Sequence, residues 1–599
     1  MNTAIPHRLA DLRKAMNKHG VAACLVPSAD PHLSEYLPEH WQARAHFSGF
    51  TGSAGTLVVT ADFAGVWTDS RYFEQAEKQL EGTGARLMRM RIPHTPEHLQ
   101  WLEGALGQGD VLAVAGDSLS LAAKRQIETH LVDVGASLRT DLDLPGQAWT
   151  DRAPLPQAPV REHAAGFVSR SRSDNLSAIR EAMSKAGATH HLVSSLDDVA
   201  WITNLRGADV EYNPVFLAHL LISSDRATLF AHTGAFSDEL RQRLAADGIE
   251  LVTYADAAAA LTALPPDARL MLEPGRVVVA LLGDLPASVQ LVEQRNPSTP
   301  LKAIKNAHEL EHVRATMRHD GAALVEAFAE IERDLIAGDT ITELDVETRL
   351  RASRAKRPHF VGESFGTIAG YMANGALPHY SATPEAHSTL GRDGLLLVDS
   401  GGQYEGGTTD ITRVWAFGQT TEEQRRDCTL VLKGMIALSR ARFPEGASGP
   451  QLDALARAPL WAAGADFGHG TGHGVGYFMN VHEGQQGIRP PRSGGEMVAL
   501  EPGMINSIEP GIYKPGRHGI RHENLAAVVD AGETEFGRFL SFETLTLCPI
   551  DTRAIEPALL EPSEREWLNG YHHCVREALL PLIEHDTDRQ WLKERCQPV

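Results

Sequence analysis

Apolar and polar positions along the chain change period several times, and each change marks an element. LADLRKAMNKHGVAACLVPSAD, from Leu9 to Asp30, reads as a helix closed by Gly20 and followed by an apolar strand. The same pattern returns as LSAIREAMSKAGATHHLVSSLD, from Leu176 to Asp197, now closed by Gly187. The two segments align without gaps at an offset of 167 and share ten of twenty-two residues. Two similar α/β domains in tandem are the simplest account. TDRAPLPQAPVREHAAG, from Thr150 to Gly166, is rich in Pro and Ala, lacks periodicity, and reads as the linker between them.

The second domain is expected to end near QRNPSTPLKAIKN. Asn306 and Glu309 then form an N-x-x-E cap, and Leu310, Val313, Met317, Leu324, Phe328 and Ile331 follow at three- and four-residue steps. A long amphipathic helix therefore opens a third domain. The expected boundaries are 1–155, 156–302 and 303–599. Within the third domain Leu395 to Val398 read as a buried strand, GGQYEGG as a glycine-rich turn, and Ile411 to Phe417 as the returning strand. Farther on, WLNGYHHCVREALLPLIEHD reads as an amphipathic helix that can cover the third domain or form a dimer contact.

FGHGTGHGVG, residues 467 to 476, fits neither helix nor ordinary strand. Its glycines, Gly468 to Gly476 at every second position, would each cost a helix roughly 1 kcal/mol, so the backbone is expected to be extended or looping. As a strand it would point His469, Thr471 and His473 to one face and leave the other bare for something to approach closely. At about 3.3 Å per residue the two histidines lie roughly 13 Å apart, too far to share one ion unless the loop curls.

Composition narrows the classes. At 599 residues the chain exceeds a single core, and 43% hydrophobic with 22% charged residues is ordinary for a globular protein. No apolar run of about 18 residues occurs, and the start lacks the apolar core of a signal peptide, so a cytoplasmic location is expected. A net charge of −21 disfavours nucleic acid and anionic membrane as partners. Five cysteines without a C-x-x-C pair fit a reducing compartment and leave His, Asp and Glu to hold any metal.

Four carboxylates stand where such groups need partners. Asp399 and Asp410 flank the predicted turn, so strand pairing can make them cross-strand neighbours about 5 Å apart. At that separation they repel unless a cation or a shared proton lies between them. Glu509 ends a short apolar strand before Pro510, and Glu523 sits near the start of another, IRHENLAAVV. Acids in apolar strands are usually paired or bound. With His473 these make four carboxylates and one imidazole, whose charge two divalent cations would balance. The oxygen-rich set suits Mn²⁺, and Co²⁺ or Zn²⁺ can occupy it. Two ions about 3.5–4 Å apart can share one water, lower its pKa and clamp a tetrahedral intermediate, which serves hydrolysis best.

DSGGQYEGGTTDITR, HGTGHGVGYFMNVHEG, IEPGIY and GIRHENL resemble the metal-binding segments of the pita-bread metallopeptidases, in particular the three-domain Xaa-Pro aminopeptidase branch. The resemblance extends to HFSGFTGSAGT, WTDSRYFEQA, WITNLRGADVEYNPVF and NGALPHYSATPE, nearly the whole chain. It implies two creatinase-like α/β domains before a pita-bread α+β catalytic domain. It implies that Asp399 binds one metal, that Asp410 and Glu523 bridge both, and that His473 and Glu509 complete the other site. Glu509 is the implied general base, beside the shared hydroxide.

His379 and His482 match substrate-contacting histidines that stabilise the oxyanion and the scissile amide, and His469 matches one lining the pocket near the proline. Arg521 matches an arginine that orients the ligands from behind, and Tyr513 holds a similar supporting position. RYFEQA and GSAGT are expected to be structural. A homodimer acting on peptides with proline at the second position is implied. An X-Pro bond offers no N–H to strand-like recognition, so a dedicated pocket is needed. A prolidase cleaving X-Pro dipeptides has the same metal ligands; the duplicated amino-terminal domains favour the aminopeptidase. A non-catalytic peptide- or protein-binding member of the fold would be expected to have lost ligands, whereas all five positions are filled.

Overall fold

The computed structural model describes residues 4–91, 96–491 and 497–599. The chain divides into two compact units, Met1–Ser298 and Thr299–Val599.

The sequence repeat is a repeat of structure. Helix Ala4–Lys18 buries Leu9, Leu12 and Met16, and helix Arg172–Lys185 buries Leu176, Ile179 and Met183, the same positions in the repeat. Gly20 and Gly187 stop the helices with φ of +65° and +69°, values a side chain would resist. Each helix leads into the central strand of a six-stranded mixed sheet. In the first, Ala23–Pro27 runs antiparallel to Thr56–Thr60 and parallel to Val111–Ala113. In the second, His190–Val193 runs antiparallel to Ala218–Ser223 and parallel to Arg269–Leu272. Both sheets continue outward in the same order and sense. The linker is irregular apart from Arg161–Glu162, which pairs with Leu205–Arg206, and the short helical turn Ala165–Phe167. GSAGT and RYFEQA pack together: Ser53 Oγ meets the Tyr72 hydroxyl at 2.6 Å, and a Cβ on Gly52 would strike the Phe50 and Tyr72 rings.

The second unit opens on helix Ala307–Ala337, capped reciprocally by Asn306 and Glu309. Val313, Met317, Leu324, Phe328 and Ile331 are buried along it. Strand Gly394–Ser400 lies between Ile368–Tyr371 and Ile411–Phe417, antiparallel to both. GGQYEGG is more than a turn: Gly402–Tyr404 and Gly407–Thr408 form a hairpin on a separate sheet with Phe360–Glu363. A four-stranded antiparallel sheet runs Arg442–Pro444, Gly537–Thr544, Asn524–Thr534, Ile505–Ile508. Helices Glu422–Ser439 and Gly449–Ala462 pack closely, with Gly434 against the Ala456 carbonyl.

Helix Pro562–Leu579 covers this unit by burying Leu568, Tyr571, Val575 and Leu579. The Tyr571 hydroxyl accepts from buried Arg413, which also donates to the Glu523 carbonyl at 2.6 Å. Among the described residues no helix is long and apolar enough to cross a membrane. All five cysteines are free thiols.

Candidate active site

The five carboxylate and imidazole positions lie at the ends of separate strands. Asp399 is the penultimate residue of Gly394–Ser400, Asp410 immediately precedes Ile411–Phe417, and His473 ends the two-residue strand Gly472–His473. Glu509 follows Ile505–Ile508. Glu523 lies where IRHENLAAVV breaks in two, between His518–Arg521 and Asn524–Thr534. Strand ends are where side chains can leave the ladder and converge without interrupting it.

Converge they do. One ligand atom each from Asp410, His473 and Glu523 falls within a 4.8 Å sphere of mutual separation. His473 Nε2 is 3.3 Å from Asp410 Oδ2 and 3.5 Å from Glu509 Oε1. Its Nδ1–H donates to the Gly474 carbonyl at 2.9 Å, which leaves Nε2 turned to the carboxylates, the usual support for a metal-binding imidazole. Asp399 adds a buried oxygen, Oδ1, that no described polar group satisfies. This donor set fits hard or borderline divalent cations, with Asp399, Asp410, His473, Glu509 and Glu523 able to hold them.

The strand register corrects one expectation. Asp399 pairs with Thr412 and Ser400 with Ile411, so Asp410 is a diagonal neighbour of Asp399 rather than its direct partner. Thr412, which stands opposite instead, is put to use: its hydroxyl donates to Glu523 at 2.8 Å and accepts from Arg521 Nε at 3.0 Å. Sequence reading missed Thr412, and also Ser507, whose hydroxyl donates to Glu509 Oε1 at 3.1 Å. Both sit two residues from a predicted acid, on the same strand face, which is the signal that was available.

The glycine-rich stretch has the looping backbone expected of it. It is mostly irregular, with only Gly472–His473 paired as strand, against Gly487–Ile488. What approaches its glycines is the protein's own backbone. A Cβ on Gly472 would lie 1.9 Å from the Ser507 carbonyl, and one on Gly474 would lie 2.1 Å from that of Glu483. The glycines therefore let neighbouring segments close in, which brings His473 beside Glu509 and the Glu483 backbone beside His473.

The two histidines of the stretch flank one carboxylate. His469 Nδ1 is 4.0 Å from Glu509 Oε2, while His473 faces Oε1. His469 Nδ1–H donates to the Gly470 carbonyl, and Nε2 accepts from the Tyr513 hydroxyl at 2.8 Å. That hydroxyl in turn accepts from Arg521 Nη1 at 2.7 Å, and Arg521 Nη2 reaches Asp399 Oδ2 at 2.5 Å. Arg521 and Tyr513 thus connect His469 to Asp399. His482, exposed, crosses His473 edge to face with ring centroids 4.2 Å apart. His379 is half-buried, three residues past the short helix Met372–Ala376, whose Gly375 packs against Gly519 in the strand leading to Arg521.

Crowding of like charges sets the electrostatics. Burial, with Asp410 and Glu509 nearby, pushes the Asp399 carboxyl up to about 7 against the pull of Arg521. Burial also raises Glu509, and it raises Glu523 well above the carboxylate range, helped there by Asp410, Glu509 and Asp399. Burial would lower His473, but Asp410 and Glu509 overcome it and carry the imidazole up to about 9. Each shift says that the cluster gathers positive charge, as protons when no cation is there.

Comparison with known proteins agrees. Residues 311–530 match the model of metallopeptidase family M24, and 538–599 match the C-terminal region of peptidase M24. Residues 8–140 and 151–309 each match a creatinase/prolidase N-terminal domain. The chain is 39% identical to a probable Xaa-Pro aminopeptidase P of Laccaria bicolor, over 99% of this chain and 93% of that one. It is 37% identical to aminopeptidase P2 of Arabidopsis thaliana, over 99% and 89%. The crystal structure of X-prolyl aminopeptidase from Caenorhabditis elegans, described as a cytosolic enzyme with a di-nuclear active site, superposes with a TM-score of 0.94 at 31% identity and 100% coverage of both chains. The two amino-terminal domains are thus creatinase-like, and the chain belongs to metallopeptidase family M24, in its Xaa-Pro aminopeptidase P group.

Proposed function

We propose that this protein removes a single amino-terminal residue from peptides with proline at the second position, using two divalent cations held by Asp399, Asp410, His473, Glu509 and Glu523. The observation that carries the reading is the meeting of Asp410, His473 and Glu523 within 4.8 Å, with Glu509 alongside His473. The full-length likeness to aminopeptidase P relatives supplies the substrate class. When bound, the cations supply the Lewis-acid activation of water and carbonyl that amide hydrolysis near neutral pH requires. Mn²⁺ is the proposed metal.

The chain's own residues do the rest. Glu509 is the proposed base: its carboxyl is held by Ser507 and His473, and burial raises its proton affinity toward the range useful for taking a proton from water and passing it to the departing proline nitrogen. We assign His482, exposed beside His473, to donation toward the developing oxyanion, and His379 to the scissile amide. His469, with Phe467 4.9 Å away ring to ring, would line the proline pocket, backed by Tyr513 and Arg521. The boundaries 1–155, 156–302 and 303–599, a cytoplasmic location and a homodimeric state complete the proposal. A prolidase would share the ligands. Kinetics on an X-Pro-Y tripeptide and an X-Pro dipeptide separate the two: we expect release of the first residue from the tripeptide, and cleavage of the dipeptide alone would refute the reading.

A further inference from the structure

Glycines strip a segment of the side-chain contacts that usually fix it, so the order of residues 466–473 has to come from a neighbour. It comes from helix Gly449–Ala462. Arg457 is 2% exposed, and its Nε donates to Asp453 Oδ2 at 2.8 Å, one helical turn back. Nη1 donates to Asp466 Oδ1 and to the Phe467 carbonyl, both at 2.8 Å, and Nη2 donates to the His469 carbonyl at 2.8 Å. The guanidinium lies over the Phe467 ring, 3.8 Å from its centroid. The second Asp453 oxygen accepts from the Thr471 hydroxyl at 2.6 Å, and the Thr471 carbonyl accepts from the Glu509 amide at 2.7 Å. One buried Arg–Asp pair therefore grips residues 466, 467, 469 and 471 in succession and reaches Glu509 through the last.

We infer that Arg457 and Asp453 are positioning residues of the peptidase site: they set where His469 and Glu509 stand relative to each other and to the substrate. The inference rests on the function proposed above. The fork of the guanidinium explains the choice of side chain. It bonds two carbonyls and two carboxylates from one rigid fork, whereas a lysine at the same place keeps the charge against Asp453 and loses the second carbonyl. A shift of about 1 Å in a substrate-contacting group can cost 10²-fold in rate, so the fork matters beyond stability.

The test uses the full chain loaded with Mn²⁺. Arg457→Lys and Thr471→Val are each made alone and in a His469→Gln background, and kcat, KM, metal content and melting temperature are measured with an X-Pro-Y tripeptide. We expect Arg457→Lys to lower kcat/KM about 10- to 100-fold at unchanged metal content, and Thr471→Val to lower it about threefold or more. In the His469→Gln background the cost of Arg457→Lys should shrink to a few-fold, because the group it places is gone. A merely structural pair would lower the melting temperature while leaving kcat/KM within about twofold, or would act independently of His469; either result overturns the inference. Should Arg457→Lys fail to fold, Thr471→Val, which deletes one hydroxyl and acts through Glu509, decides by whether kcat/KM falls about threefold or more or stays within about twofold. An inert wild-type protein refutes the functional reading and this one with it; an active wild type with unaffected variants refutes the positioning role alone.

Discussion

Two buried polar clusters, one in each unit, both contain histidine and have opposite character. In the amino-terminal unit His32 Nδ1–H donates to the Ser194 carbonyl at 2.8 Å, and its Nε2 accepts from the Tyr254 hydroxyl at 2.8 Å. His219 stacks near both rings and bonds the Ser194 hydroxyl at 3.0 Å. Burial lowers His32 and, with His32 beside it, lowers His219 further, so the cluster is held together by neutral imidazoles. In the catalytic unit burial and crowding raise Asp399, Glu509 and Glu523, and their charge raises His473. The first cluster rests on neutral imidazoles beside buried Asp30, whose Oδ1 accepts from the His32 amide at 2.9 Å. The second gathers carboxylates whose charge a bound cation would neutralise.

The largest effect that sharpens this contrast is expected from Glu523→Gln. It should cost metal binding and reduce activity to background, read by metal analysis and peptide hydrolysis; full occupancy with normal turnover would contradict the ligand assignment. Glu509→Ala should follow, lowering kcat by about 10³-fold or more while leaving the circular dichroism spectrum unchanged. Near-normal turnover would show that another group is the base.

pH should separate the clusters by sign. His32 and His219 have folded pKa values below the unfolded value of about 6.5, so the unfolded chain binds more protons, and stability from this cluster is lost as pH falls below about 6.5. Asp399 is raised from 3.8 to about 7, so in metal-free protein its folded form binds the extra proton and stability is lost as pH rises between those values. His473, raised from 6.5 to about 9, extends the loss upward through that range. A three-unit shift corresponds to about 4 kcal/mol at most. Thermal unfolding in chelator should therefore show the catalytic unit weakening from pH 5 to 9, and added Mn²⁺ should cancel the trend. A metal-independent profile would dissolve the distinction between the clusters. Smallest is Tyr254→Phe, which leaves His32 Nε2 without its donor and should cost about 1–3 kcal/mol of stability at unchanged kcat; a loss of activity as large as that of a ligand variant would contradict a purely structural role.

Much of this was legible in the sequence. The gapless repeat between Leu9–Asp30 and Leu176–Asp197 anticipated two sheets of one topology, because the helix stop and the buried strand are local signals. The Asn306 cap opened the long helix Ala307–Ala337 where expected. The convergence of Asp410, His473 and Glu523 was reachable because buried acids need partners. Register was not legible: residues at the mouth of a hairpin pair according to how the intervening segment folds, and GGQYEGG folded into a hairpin of its own that displaced Asp410 from opposite Asp399. Nor were the partners of the glycines, Ser507 and Glu483, or the grip of Arg457, since each contact joins segments whose spacing carries no period. Lys305 and Glu483 form a fully buried pair at 2.7 Å that fastens the residue next to His482, and nothing in either local sequence announces it.

The central claim is that the carboxylate cluster is a metal-dependent centre for peptide hydrolysis. Stripping the protein with chelator, then titrating Mn²⁺ while following release of the first residue from an X-Pro-Y peptide, tests it most directly. We predict no turnover in the stripped protein and recovery that reaches its plateau at two ions per chain. Full activity in metal-free protein, or saturation without any release of the amino-terminal residue, would contradict the account.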